Sequence, residues 1–594
     1  MPIFAAPVRD QQFLLEDVLD IHRYSNLPGF ADVQGDVLGA ILSEGAKFAE
    51  NVLAPINRIG DIEGCKRNPD ASVTTPKGFK EAYRQFADNG WAGISADPTY
   101  GGQGLPHVVA LAISEMSSAA NMAFSMYPGL TRGAAEAIYA GGSDAQKQQY
   151  LPNMFSGKWA GTMNLTEPQC GTDLGLIKTK AVPQADGTYK ISGQKIWISG
   201  GEQDLTENII HLVLARIEGG PEGIKGISLF IVPKYLVNDD GSLGARNALE
   251  CGGLEHKMGI HGNATCVMHY EGATGYLVGE AHKGMRTMFV MMNEARLGVG
   301  MQGLAQAEIA YQNAVAFAKD RLQSRAVTGA KRPDLPADPI LVHPDVRRML
   351  MDTRAFKEGA RAFAFWTALY ADLLHRSPDE AVRQKADDYL ALMTPVVKAF
   401  LTDRGLKAVS DSLQVFGGSG YVEEWGMSQF MRDARIALIY EGTNGIQALD
   451  LVGRKLAANG GRAVFTFFNE VEDFIGENNA DPALKPFIEG LRTAKDRLQQ
   501  ATNWLMQNGL SNFENAAASS SDYLQLFGLT ALTYMWAMMA KAAQAKAPTG
   551  DDFYGNKLKT GRYFLDRVLP ETALYLTKVE TGAEAMMALD LEAF

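Results

Sequence analysis

The chain has 594 residues, of which 46% are hydrophobic, and a formal net charge of −12. This length is enough for about four globular domains at roughly 150 residues each. The acidic balance argues against a general affinity for nucleic acid, and four cysteines without CxxC pairing indicate a reduced, cytoplasmic setting. The N-terminal segment has no basic region and no long apolar run, so we expect no secretory signal.

The predicted elements fall into five consecutive segments. Residues 1–35 form an N-terminal arm with a short apolar face, and residues 36–157 have the apolar spacing of helices. Over 158–285, short segments rich in β-branched and aromatic residues predict a β-domain, with a tight hairpin at Asp186-Gly187. Helical spacing returns over 286–455, where we predict a bundle of four long helices, and residues 456–594 form an extra helical domain.

Three stretches of the last segment need interpretation. The apolar run from Leu524 to Ala543 resembles a membrane span in length, but it holds polar residues, and we predict a buried bundle helix. We expect a short flexible loop at 516–521. The apolar stripe from Leu484 to Leu505 needs an apolar surface to bury against.

The pentapeptide Tyr440–Asn444 is the most informative local feature. It places the carboxylate of Glu441 between the apolar run 436–439 and a glycine turn that opens another helix. Burial raises the pKa of a carboxyl group, which suits a base that works near neutrality. Gly442 lacks the side chain that would stop a planar ligand approaching the backbone. A helix-capping turn with an ordinary exposed acid is the alternative interpretation.

Six motifs in register resemble those of the acyl-CoA dehydrogenase family, flavoenzymes that desaturate acyl-CoA thioesters between the α and β carbons. They are residues 165–173, 196–199, 292–296, 320–323, 413–420 and 440–443. The resemblance implies an α+β fold with an N-terminal helical domain, a middle β-barrel domain and a C-terminal four-helix bundle. The extra helical domain at 456–594 resembles that of a branch with larger subunits.

The resemblance also implies catalytic roles. Glu441 matches the base that removes the α-proton, while the flavin accepts the β-hydrogen as a hydride. Some relatives carry the base where this chain has Ala295, which leaves Glu294 as a weaker alternative. Arg296 matches an arginine of the active-site floor, expected to stabilise the Glu441 carboxylate or to shape the pocket, although a solvated helix charge is also possible. The expected substrate-binding residues are Thr172, Asn293, Arg296, Tyr440 and Gly442.

The cofactor implied by the resemblance is FAD. The residues that match contacts to the flavin ring and its phosphate side are Met163, Leu165, Thr166, Trp197 and Ser199. Trp197 as a plain core residue of the barrel is the alternative. The residues that match contacts to the ADP portion, or that cover the cofactor after the base, are Arg321, Gln414, Gly418, Thr443 and Gly445. Two side-chain contacts of the family are missing, because Gly445 replaces a glutamine and Ser324 replaces a phenylalanine. The histidines show no metal-ligand spacing, so we expect no metal.

The motifs define the reaction better than the substrate. Residues 7–10, 291–296 and 440–446 most resemble a bacterial group that acts on 3-(methylthio)propanoyl-CoA in dimethylsulfoniopropionate demethylation. A short-, medium- or long-chain straight acyl-CoA is the alternative, and an oxidase variant is also open. The resemblance implies an electron-transferring flavoprotein as electron acceptor and a homodimer, because the extra domain would cover the face through which smaller relatives form tetramers. A nucleic-acid-binding flavoprotein of the same fold is a distant alternative, disfavoured by the acidic C-terminal segment.

Overall fold

The computed structural model describes residues 2–509 and 511–594, without the side chain of Glu294. Its backbone divides into two compact units, one made of residues 1–43 and 299–594 and the other of residues 44–298. The five segment boundaries expected from the sequence are a finer division and stay predictions. The first two helices are α1 (Val8–Phe13) and α2 (Asp36–Phe48).

The unit of residues 44–298 begins with helices, as the apolar spacing predicts. They are α3 (Ala54–Glu63), α4 (Phe79–Asp88), α5 (His107–Ala120), α6 (Met122–Gly141) and α7 (Asp144–Phe155), with a small ribbon of β1 (Lys66–Arg67) and β2 (Val73–Thr74). Helix α7 starts with a capping box, in which Ser143 and Gln146 satisfy each other's backbone N–H groups.

A β-barrel follows these helices. Its strands are β3 (Trp159–Asn164), β4 (Lys180–Pro183), β5 (Tyr189–Ser199), β6 (Asn208–Ile217), β7 (Ile227–Pro233), β10 (Leu249–Leu254) and β11 (Thr265–Val278), with the separate ribbon of β8 (Tyr235–Val237) and β9 (Leu243–Arg246). Strands β11, β5, β4, β6 and β7 pair in that order, and β7 returns to β11, so the ring is closed. Closure leaves these five strands without a free edge. Two further strands extend the ring, β3 by pairing with β6 and β10 by pairing with β11.

Three long helices form most of the bundle. They are α8 (Gly284–Asp320), α9 (Pro344–Arg376) and α10 (Glu380–Val415). The sequence predicts a fourth long helix, but this part of the chain is divided into the short helices α11 (Met427–Arg435) and α12 (Asn444–Asp450). Gly426 and Gly442 have φ angles of +78° and +89°, which a continuous right-handed helix excludes. The interruption places Glu441 in the loop between α11 and α12.

The segment 456–594 is helical, as expected, and five α-helices lie among its described residues. They are α13 (Arg462–Asn478), α14 (Lys485–Asn508), α15 (Phe513–Lys546), α16 (Asp552–Arg567) and α17 (Glu571–Thr581). The stripe from Leu484 to Leu505 is buried within this domain, where α14 packs against α15. The loop expected at 516–521 is wrong, because these residues belong to α15, which Asn512 caps at its start.

Helix α15 of the extra domain packs against α9, α10 and α12 of the bundle. The Trp536 indole Nε1 donates to the Ala355 carbonyl of α9 at 3.2 Å. A Cβ at Gly528 would lie 2.3 Å from the Phe400 ring of α10, so only glycine permits this approach. The apolar run from 524 to 543 is therefore buried against the bundle, and no helix among the described residues is long and apolar enough to cross a membrane.

The N-terminal arm fastens the extra domain to the bundle through a buried group of charges. Asp10 of α1 contacts both Arg361 of α9 and Lys557 of α16, whose side chains are 0% and 2% exposed. Lys557 also pairs with Glu358 at 2.7 Å, and Arg361 with Glu308 at 2.6 Å. Burial raises the pKa of Asp10, but Lys557 and Arg361 outweigh burial and hold this pKa well below its usual range.

Replacing Asp10 by Asn should destabilise the unit of residues 1–43 and 299–594 by about 3 kcal/mol, because two buried cations lose a counter-charge. Denaturant unfolding at pH 7 measures this change. Since the pKa is lowered in the folded protein, the contribution of Asp10 is present at neutral pH and is lost only in strong acid.

Asp551→Asn is a matched control for this variant. Asp551 pairs with Arg9 at the surface, and asparagine retains its capping bond to the Phe553 N–H. Equal effects of the two substitutions would contradict the role given to Asp10.

Candidate active site

Trp197 lies in a β-bulge of strand β5. Opposite β11, Lys195 pairs with Met268 and Ile198 with Cys266, so two residues of β5 face one residue of β11. The φ angle of Trp197 is +61°, which is rare for a residue with a bulky side chain. Its side chain is 61% exposed. The interpretation of Trp197 as a core residue of the barrel is therefore wrong, and its ring is available to a ligand.

The loop after β3 lies beside this bulge. The Ile196 N–H donates to the Thr166 carbonyl, and Lys195 Nζ donates to the Leu165 carbonyl, both at 2.9 Å. These bonds place Leu165 and Thr166 next to the strand that carries Trp197. The two remaining residues that are predicted to contact the flavin ring, Met163 and Ser199, are partly buried. Thr172, which lies further along the loop, is exposed. An exposed indole beside a hydroxyl and backbone polar groups fits a flat, polar-edged ring system such as isoalloxazine.

A buried ion pair supports the same loop. Lys195 is 0% exposed and its Nζ lies 2.9 Å from Oε1 of Glu167. The Glu167 carboxylate also accepts from the Thr179 N–H and hydroxyl, the Lys178 N–H and the Gln169 amide. Burial raises the pKa of Glu167, but Lys195 and these hydrogen bonds outweigh burial and lower this pKa to about 2. Glu167 is therefore a carboxylate at neutral pH, with its oxygens fully engaged.

A second buried network supports strand β3 from inside. The Thr162 hydroxyl lies 2.7 Å from Nδ1 of His211 and accepts from the Asn164 amide at 2.9 Å. The Tyr270 hydroxyl donates to Oδ1 of Asn164 at 2.9 Å. Burial lowers the pKa of His211 to about 3, so the ring is neutral at physiological pH. Because side chains alternate along a strand, Met163 points to the opposite face.

The two predicted residues of helix α8 lie one turn apart. Arg296 is 7% exposed, and its Nη1 lies 3.4 Å from Oδ1 of Asn293. The guanidinium also lies 6.0 Å from the centre of the Phe289 ring. A solvated helix charge is thus the wrong interpretation of Arg296. The side chain of Glu294, the alternative base, lies outside the described residues.

Glu441 occupies a strained position in the loop between α11 and α12. Its φ angle is +58° and that of Gly442 is +89°, so two successive residues are left-handed. Thr443 returns to φ −52° and ψ 151° and becomes the residue before α12. Left-handed backbone at a glutamate costs free energy, and surrounding contacts must hold it in place.

Two side chains next to Glu441 supply such contacts. The Tyr440 hydroxyl donates to Oε1 of Gln302 in α8, and burial raises the pKa of Tyr440 well above its usual range. Asn444 bonds to one turn of α10, accepting from Lys398 Nζ at 2.7 Å and donating to the Thr402 hydroxyl at 2.9 Å. The loop is therefore fastened on both sides of Glu441.

The residues predicted to reach the ADP portion lie where helices α8 and α10 end. The rings of Phe317 and Phe416 stack with their centres 4.3 Å apart, which joins these two helix ends. Arg321, Gln414 and Gly418 follow or flank the stacked pair and are exposed. Thr443 and Gly445 are also exposed, and a Cβ at Gly445 would meet open space.

Sequence reasoning gave no role to Lys195, Glu167 or Asn444, although two of them lie within the quoted motifs. Their importance depends on partners far away in the chain. One signal was available for Lys195. It is a charged residue in an alternating strand, between Gly193 and Trp197, at a position that the strand period buries.

Four family models match consecutive parts of the chain. Three are the N-terminal, middle and C-terminal domains of acyl-CoA dehydrogenase, at residues 40–158, 162–273 and 282–456. The fourth, described as acetyl-CoA dehydrogenase C-terminal like, matches residues 467–590.

Full-length relatives agree with these matches. The chain is 42% identical to 3-methylmercaptopropionyl-CoA dehydrogenase of Ruegeria pomeroyi, over 99% of this chain and 100% of that protein. It is 35% identical to a broad-specificity linear acyl-CoA dehydrogenase of Mycobacterium tuberculosis, over 100% of both proteins. The structure of an acyl-CoA dehydrogenase from Bacillus anthracis complexed with FAD matches with a TM-score of 0.75 at 21% identity, over 94% of this chain and 89% of that one.

The chain belongs to the acyl-CoA dehydrogenase family. It is an oxidoreductase that acts on acyl-CoA thioesters, and its cofactor is FAD. The α+β fold expected from the sequence, with its additional C-terminal helices, is confirmed. The individual site residues stay predictions.

Replacing Lys195 by Met should weaken FAD binding roughly tenfold or more, because the Leu165 carbonyl and the Glu167 carboxylate lose a charged donor. Titration of the apoprotein with FAD, followed by flavin fluorescence, measures the affinity. Asn247→Ala is the control, since Asn247 is buried in the same β-domain and bonds to Pro233 and Thr274. An unchanged affinity in Lys195→Met would show that the pair does not support the flavin loop.

Proposed function

We propose that the protein oxidises 3-(methylthio)propanoyl-CoA to 3-(methylthio)acryloyl-CoA, a step of dimethylsulfoniopropionate demethylation, with Glu441 as the catalytic base. The observation that carries the substrate is the 42% identity, over the whole chain, to an enzyme named for it. A straight-chain acyl-CoA is the second candidate, supported by the 35% identity to the linear acyl-CoA dehydrogenase.

The roles of the residues follow from their chemistry. The Glu441 carboxylate takes the α-proton of the thioester, and the electron pair of that C–H bond becomes the new carbon–carbon double bond. When bound, FAD supplies the acceptor for the β-hydrogen and its two electrons. The backbone N–H of Glu441 donates a hydrogen bond to the thioester oxygen and stabilises the charge that develops there. The left-handed backbone of Glu441 supports a role for both its carboxylate and its backbone N–H, because such strain is concentrated at functional sites.

Arg296 is proposed as a charged residue of the substrate pocket, together with Asn293. Its burial supports this role over that of a surface charge. The methionines of α8 give no support for a thioether substrate, because Met288 and Met291 belong to the hydrophobic core that packs on α6 and β3.

We further propose an electron-transferring flavoprotein as the acceptor and a homodimer as the assembly. The reduced cofactor must be reoxidised by a partner that accepts electrons. The exposed positions of Arg321, Gln414 and Gly418 support contacts to a cofactor shared with a second subunit. Helix α15 packs on α9 and α10. This packing supports a dimer over a tetramer, because the extra domain would cover the face through which smaller relatives form tetramers.

Glu441→Gln retains the shape of the side chain and removes the base. Turnover should fall by about a thousandfold or more, while FAD remains bound. Steady-state kinetics with an artificial electron acceptor and the flavin absorption spectrum measure the two properties. Near-normal turnover would exclude Glu441 as the base and direct attention to Glu294.

The substrate is tested by comparing 3-(methylthio)propanoyl-CoA with pentanoyl-CoA, in which a methylene group replaces the sulfur. Anaerobic bleaching of the flavin reports the rate of dehydrogenation. At a limiting thioester concentration we expect the bleaching rate to be about tenfold or more higher for the thioether, the size of discrimination that one group in an apolar pocket can give. Equal rates, or a faster reaction of longer straight chains, would favour the second candidate.

A further inference from the structure

The base loop is connected to the extra C-terminal domain through two side chains. Asn444, three residues after Glu441, donates from its amide to Oδ1 of Asp403 at 2.7 Å. The other oxygen of Asp403, Oδ2, accepts from Nε2 of Gln525 at 2.9 Å. Gln525 belongs to α15 of the extra domain, and Asp403 to α10 of the bundle. One carboxylate therefore bonds to the base loop with one oxygen and to the extra domain with the other.

Each member of this chain of bonds is itself held in a fixed orientation. Asn444 also contacts the Ala399 carbonyl, the Thr402 hydroxyl and the fully buried Lys398, so both polar atoms of its amide are engaged. The Arg404 guanidinium donates to Oε1 of Gln525 at 3.2 Å, which leaves the Gln525 amide nitrogen facing Asp403. Burial raises the pKa of Asp403, an environment in which its hydrogen bonds are strong.

The extra domain also packs directly on the helix that follows the loop. Helix α15 contacts α12, whose first residue is Asn444. The loop residues between Tyr440 and Asn444 are thus held at both ends by hydrogen bonds, from Tyr440 to α8 and from Asn444 to α10. Through Asp403, the second of these is connected to the extra domain. The strained backbone of Glu441 needs such constraint to stay in one conformation.

We propose that Gln525 and Asp403 are positioning residues for the catalytic base, so that the extra domain orients the loop of Glu441 in addition to covering the bundle. The proposal rests on the proposed function in that Glu441 is the base. Catalysis depends on the placement of both the carboxylate and the backbone N–H of Glu441, and small displacements of a reacting group are costly.

The main test is Gln525→Met, which retains the volume of the side chain and removes its hydrogen bonds. We expect kcat to fall by about tenfold with little change in KM, because the loop loses order rather than substrate contacts. Amide hydrogen exchange in peptides covering 439–446 should become about tenfold faster, since local opening is less costly. FAD content should be unchanged.

Tyr563→Phe is the matched control. The Tyr563 hydroxyl of α16 donates to Oδ1 of Asp352 in α9 at 2.7 Å, so this variant also removes a hydrogen bond between the extra domain and the bundle. It should leave kcat and exchange in 439–446 unchanged. If Tyr563→Phe has the same effect as Gln525→Met, these hydrogen bonds only attach the extra domain to the bundle, and the proposal is overturned.

A double-mutant cycle tests the route through Asn444. In an Asn444→Ala background, Gln525→Met should have no further effect on exchange in 439–446, because the connection is already broken. Additive effects would overturn the proposal, as would wild-type exchange in Gln525→Met itself. The two proposals can fail separately. An active Glu441→Gln variant would refute the role of Glu441 as the base, whereas hydrogen exchange does not depend on turnover and would still measure the connection between the extra domain and the loop.

Discussion

The structure around the candidate active site depends on a glutamate held in left-handed backbone. Glu441 has a φ of +58°, and it is followed by Gly442 at +89°, so the chain reverses direction sharply between α11 and α12. Such a conformation is unfavourable for a residue with a side chain and must be stabilised by its neighbours. The neighbours are Tyr440, bonded to Gln302, and Asn444, bonded to one turn of α10.

The part of the β-domain that is predicted to bind the flavin is built by the same principle. Trp197 is also left-handed, and a β-bulge turns its ring outward. The adjacent loop is fixed by Lys195, a fully buried cation that bonds to a backbone carbonyl and to Glu167. Separating Lys195 from Glu167 would leave an uncompensated buried charge, which is costly. Loop conformations that separate the two side chains are therefore disfavoured.

Much of the fold was predictable because it follows local periodicity. The helices between residues 36 and 157 were predicted from their apolar spacing, and the strands of the barrel were recognised from their β-branched residues. Residues 516–521 were misread as a loop, because their helical state depends on burial against α17, where the Ser519 hydroxyl donates to the Val579 carbonyl. The fourth long helix was predicted from apolar spacing, and the positive φ angles of Gly426 and Gly442 interrupt it.

The residues of the candidate site were recognised by motif, whereas their supports were not. The orientation of Trp197 depends on the register between β5 and β11, which are separated by about seventy residues in sequence. Asn444 is fixed by Lys398 and Asp403, more than forty residues earlier, and through Asp403 by Gln525. Contacts between residues so far apart cannot be derived from the spacing of one sequence.

The most direct test of Glu441 as the base separates proton removal from hydride transfer. Enzyme whose flavin has been reduced beforehand cannot accept a hydride, so hydrogen exchange at the α-carbon of a bound acyl-CoA in D2O reports the base alone. Nuclear magnetic resonance of the recovered thioester measures this exchange. The account predicts α-deuteration by the reduced wild-type protein and none above background by reduced Glu441→Gln. Equal deuteration by the two proteins would contradict it.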